Sequence, residues 1–135
     1  MNTPVSDLAT LLRTMEPVLH EGVYVYSVVP ANTELSSVQA IATFQEAEGT
    51  TVITSEAEAL KADLPILFRA AWITLKVHSD LQAVGLTAAF SHALSKVGIS
   101  CNVVAAAYHD HIFVPVERAQ ESLAQLRALQ EAASS

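Results

Sequence analysis

The sequence predicts an α+β fold, an antiparallel sheet covered by helices on one face, and two observations carry that expectation. The first is the order of patterns in the second half: an alternating strand at Trp72 to His78, a helical stretch from Leu86 to Val97, a hairpin between Ile99 and Val114, and a last helix marked by Ala119, Leu123, Leu126 and Leu129. The second is a repeat. Phe44-Gln-Glu-Ala-Glu-Gly-Thr-Thr-Val-Ile-Thr-Ser-Glu-Ala and Tyr108-His-Asp-His-Ile-Phe-Val-Pro-Val-Glu-Arg-Ala share one layout: aromatic residue, polar turn, short β-branched strand, acidic helix start, alanine. Strand, helix, hairpin and helix follow one another in the ferredoxin-like βαββαβ pattern. The chain therefore reads as two tandem units, 1–67 and 68–135, fused through one sheet, with the first connecting helix present only in the second copy. Each half alone is too small to bury a good core.

Taken in order, Leu8, Leu11, Leu12 and Met15 recur at i, i+3, i+4 and i+7 and predict a helix capped by Ser6 and stopped by Glu16-Pro17. Val23 to Val29, β-branched and aromatic up to Pro30, is a strand, and the polar Ala31 to Ser37 is a loop. Val38 to Glu46 and Thr50 to Thr54 form a hairpin around Ala47-Glu48-Gly49, where Gly49 is expected to take a positive φ. Ser55-Glu56-Ala57-Glu58 has capping-box spacing and opens a helix through Lys61. In the second half Ile73, Leu75 and Val77 share one strand face, and Trp72, Thr74, Lys76 and His78 the other. Ser79-Asp80-Leu81-Gln82 offers a second capping box for the helix that Gly98 ends. Pro115 cannot donate to a ladder and closes the strand His111 to Val114.

Composition narrows the function classes. With 51% hydrophobic residues, 16% charged residues and a mean hydropathy of +0.35, the 135-residue chain has the material to fold. No apolar run approaches the roughly 18–20 residues of a membrane span. Met1 to Asp7 shows neither a basic segment nor an apolar one of the secretory kind, so the expected location is cytoplasmic. Seven Lys and Arg against 14 Asp and Glu, a net charge of -7, argue against nucleic acid. The single cysteine, Cys101, excludes an internal disulfide.

Over Trp72-Ile-Thr-Leu-Lys-Val-His-Ser-Asp-Leu-Gln-Ala-Val-Gly-Leu-Thr-Ala-Ala-Phe-Ser-His-Ala-Leu and Gly98-Ile-Ser-Cys-Asn-Val-Val-Ala-Ala-Ala-Tyr-His-Asp-His-Ile-Phe-Val-Pro-Val-Glu-Arg-Ala, the chain resembles the ACT domain family, in particular the tandem ACT-like regulatory regions of aspartate kinases and arginine-sensing ACT proteins. The likeness is stronger over residues 70–130 than over 20–65. It implies a regulatory module that binds an amino acid or another small ligand and performs no chemistry, with the ligand between the loop after the first strand and the facing second strand, often across two paired units. Carried onto this sequence, the loop is His78, Ser79 and Asp80 with Val84, Gly85, Leu86 and Thr87 at the helix start, and the facing strand carries Ser100 and Asn102. The residues themselves suit that use. A helix N-terminus offers unsatisfied amides to a carboxylate, Gly85 admits close approach to the backbone, Asp80 can pair with an α-ammonium, and Asn102 donates and accepts. Plainer roles stand beside these: Ser79 as an N-cap, Asp80 as a partner of the helix dipole, Gly85 as a packing glycine.

The expected function is thus a non-enzymatic small-molecule sensor, without cofactor, that forms a homodimer or larger homo-oligomer and acts on a partner protein. Two readings compete with it. One is an enzyme, metal-dependent or not, built on His78, His109 and His111, since a His-x-His turn puts two imidazoles on one strand face with Asp110 pointing away. The other is a purely structural dimerisation module.

Overall fold

The computed structural model describes residues 7–77 and 84–134. They divide into two units, residues 21–71 and residues 7–20 with 72–134. The first helix, α1 (Leu8–Thr14), is capped by Asp7, in place of the Ser6 cap read from the sequence: the Asp7 carboxylate accepts from the Thr10 amide at 3.1 Å and the Thr10 hydroxyl at 2.7 Å. Those bonds hold the Asp7 carboxyl below its ordinary range. Seven residues are too few for an isolated helix. Burial of Leu11 and of Met15, just beyond the last turn, fixes it.

Glu16-Pro17 does more than stop this helix. It begins a strand, β1 (Glu16–Leu19), that pairs antiparallel with β5 (Phe68–Lys76) in the register Glu16↔Lys76 to Leu19↔Ile73. Pro17 is tolerated because β1 has only one partner, and alternate amides of such a strand point away from it.

In the unit of residues 21–71 the strand order is β3, β4, β2, β5, with β2 (Tyr24–Val29), β3 (Ala40–Gln45) and β4 (Thr50–Ser55) all antiparallel to their neighbours. The connection between β2 and β3 is a loop, as its polar sequence predicts. Ser55 caps α2 (Glu56–Lys61) by accepting from the Glu58 amide at 3.1 Å. The other half of the expected capping box is used differently: the Glu58 carboxylate accepts from the Gln39 amide at 3.2 Å and pins the loop before β3. Ser55→Ala should lower unfolding free energy by about 1 kcal/mol, read as a lower urea midpoint at unchanged slope; an unaltered midpoint would show that the cap contributes nothing.

In the other unit the order is β1, β5, β7, β6, with β6 (Asn102–Ala105) and β7 (Asp110–Pro115) forming a hairpin. Along the chain the unit runs β5, α3 (Leu86–Ser95), β6, β7 and α4 (Ala119–Ser134), and β1, from the start of the chain, takes the place of a closing strand. Ile73 and Leu75 of β5 and Val77 just after it, Ile112 and Val114 of β7, and Leu86, Phe90 and Leu94 of α3 are buried with Leu123 and Leu126 of α4, all at 9% exposure or less. This is the helix-covered face. Strand periodicity sends Trp72, Thr74 and Lys76 to the opposite face, as the sequence predicts. Arg118 ties the end of α3 to α4: its guanidinium donates to the Val97 carbonyl at 3.0 Å and pairs with Glu121 at 2.8 Å.

Candidate functional site

Among the residues proposed from sequence, His78, Ser79 and Asp80 lie outside the described residues. The helix they were expected to open begins later, at Leu86, and Gly85 is its N-cap with φ +102. Glycine is needed there because an L side chain rarely adopts that φ, and a Cβ would also stand 3.0 Å from Leu8 Cδ2. Glycine at the N-cap supplies no side-chain cap, and no acidic residue occupies the first turn of α3. Val84 is 84% exposed, Thr87 is exposed and Leu86 is in the core. Among the described residues of this helix start, Thr87 is the exposed polar side chain.

Ser100 and Asn102 stand elsewhere. Ser100 is in the irregular segment before β6, not in the strand, and Asn102 begins β6, where its side-chain amide donates to the Phe113 carbonyl at 3.3 Å. Both follow the C-terminal end of α3, a ten-residue helix about 15 Å long that opens at Gly85.

A different cluster does converge. The β1–β5 register sets His20 beside Trp72, with the His20 amide donating to the Trp72 carbonyl at 2.9 Å. The imidazole stacks on the indole at 3.6 Å between ring centres and 7° between planes. Across the sheet, Trp72 Nε1–H donates to His111 Nδ1 at 3.1 Å. Thr74 Oγ1 lies 2.6 Å from His20 Nε2 and 3.1 Å from His111 Nδ1. With Val18, Lys76 and His109 these side chains line a cleft of 370 Å³. His109 and His111 do share a face, and Asp110 is turned inward, 7% exposed.

Burial pushes the His20 imidazole below its ordinary range, and a charge on His111 acts the same way. His111 is lowered by burial and then by the neighbouring His109, against the pull of Asp110. Burial raises the Asp110 carboxyl, opposed by the two histidines. The His20 and His111 imidazoles thus favour the neutral state. Among the described residues no three His, Cys, Asp or Glu side chains are gathered to hold a metal ion. Cys101 is half-buried, and burial pushes its thiol up to about 11 despite a hydrogen bond with Ser91, so it stays protonated near neutrality. Sequence reasoning placed Trp72, Thr74, Lys76, His109 and His111 on strand faces but missed His20, because β1 itself was not recognised.

Two units of antiparallel sheet with α2 in one and α1, α3 and α4 in the other define a tandem ferredoxin-like α+β protein. Its sequence matches the ACT domain over residues 3–71 and again over residues 68–128, and the chain belongs to the ACT domain family. ACT domains are regulatory modules that bind small molecules. The chain is similar to a protein of unknown function from Vibrio cholerae, described as a possible transport protein, at 44% identity and a TM-score of 0.82, covering 91% of this chain and 95% of that one. The fold is also similar to about a third of aspartate kinase from Clostridium acetobutylicum (11% identity, TM-score 0.69, 86% of this chain and 34% of that one). The ligand-free regulatory subunit of aspartate kinase from Thermus thermophilus gives 8% identity and a TM-score of 0.63, covering 84% and 97%. No curated protein matches the chain. Among the described residues no helix is long and apolar enough to cross a membrane.

Proposed function

We propose that the chain is a cytoplasmic amino-acid sensor, without catalysis of its own, whose occupancy is read by a partner protein. The observation that carries this reading is the ACT match over both halves, with 68–128 spanning the segment from β5 through α3 to α4. The ligand site is assigned to His78, Ser79 and Asp80 with the backbone of Val84, Gly85 and Leu86 and the Thr87 hydroxyl. Uncapped first-turn amides suit the ligand carboxylate, and with seven Lys and Arg in the chain there is little competing cationic chemistry. Ser100 and Asn102 complete the site, across a second paired unit. The reading therefore includes a homodimer or larger homo-oligomer.

A thermal-shift panel of the twenty amino acids tests it. At about one hundred times its Kd a ligand stabilises the native state by about 2.7 kcal/mol, a rise of several degrees for a domain of this size. At least one amino acid should give that rise. A flat panel would remove the amino-acid reading.

A further inference from the structure

The cleft on the helix-free face is not part of the site proposed above, and its hydrogen bonds fix what it offers. Indole Nε1–H can only donate, so His111 Nδ1, its partner at 3.1 Å, is the unprotonated ring nitrogen, and the ring proton sits on Nε2. Thr74 Oγ1 links the two imidazoles, 2.6 Å from His20 Nε2 and 3.1 Å from the same Nδ1. At the rim stand two donors, the His111 Nε2–H and the ammonium of exposed Lys76, beside His109, whose Nδ1 lies 3.4 Å from the Val77 carbonyl oxygen. Glu16 stands opposite Lys76 in the β1–β5 register, yet among the described residues Lys76 forms no ion pair. Lys76 sets one cation at the rim of this cleft, in a chain of net charge -7. The walls are apolar, from Val18 and the stacked His20 and Trp72 rings. The 370 Å³ volume is at the lower end of what small-molecule sites enclose.

We infer that this cleft is a second binding site, taking a small organic anion with a flat apolar body: the anionic group at Lys76 and His111, the flat part against Val18 and the His20–Trp72 stack. The assignment does not depend on the amino-acid reading, and neither set of residues contains the other's.

Trp72 is the only tryptophan, so its emission reports the cleft directly. Benzoate titrated into the full chain at constant ionic strength should change that emission saturably. Benzamide, the uncharged isostere, and acetate, the anion without a ring, should each bind at least tenfold more weakly. Lys76→Ala, an exposed substitution, should weaken benzoate to the same degree, whereas Asp80→Ala should leave it unchanged and so separate this site from the one at α3. No saturable response to benzoate overturns the proposal. Equal affinity for benzamide, or for benzoate in Lys76→Ala, overturns the anion assignment, and equal affinity for acetate overturns the flat apolar part.

Discussion

Phe90→Ala is expected to lower the unfolding free energy by about 3–5 kcal/mol, a large share of what a domain of this size possesses. Phe90 is fully buried on the stripe that α3 turns inward with Leu86, Ala93 and Leu94. Truncation loses the transfer free energy of the ring and leaves a cavity that the surrounding elements cannot close without moving backbone. Tyr108→Ala is the matching control: its ring is 74% exposed, and its removal should stay within about 0.5 kcal/mol. Urea denaturation of the three proteins gives both numbers. A cost for Phe90→Ala below about 1 kcal/mol would mean that α3 is not packed as described.

How far the sequence reveals this protein depends on which physical signal each element carries. β5 and α3 were legible because their apolar residues repeat at the periods of strand and helix, and burial follows those periods. The loop between β2 and β3 was legible from its polarity. β1 was not, since four residues containing a proline show no period, and only pairing with β5 makes them a strand. Gly49 was assigned the right importance for the wrong reason: it is not among the glycines of positive φ, and glycine is required because a Cβ would stand 2.7 Å from the Val29 carbonyl oxygen. That oxygen belongs to β2, so the constraint is tertiary. The same holds for the cleft. His20 and Trp72 are distant in sequence, and a strand register brings them into stacking contact.

Asp80→Ala should erase the amino-acid-induced rise in Tm and leave the ligand-free Tm almost unaltered. The plainer roles for this segment both required the helix to start beside it. α3 starts at Leu86, its N-cap is Gly85, and its first turn holds no acid, so Ser79 is not the N-cap of this helix and Asp80 is not in its first turn. In the proposed site the Asp80 carboxylate pairs with the ligand α-ammonium, and a hydrogen bond to a charged group contributes about 1.5–3 kcal/mol. Its loss raises Kd roughly 10- to 150-fold. For a hundredfold loss, a ligand concentration that was one hundred times Kd becomes equal to it, and the stabilisation falls from about 2.7 to about 0.4 kcal/mol. Asp80→Asn, which keeps an acceptor and removes the charge, should fall between the two. A full rise retained in Asp80→Ala would move the ammonium partner to another residue. A ligand-free Tm lowered as far as in Phe90→Ala would make Asp80 structural.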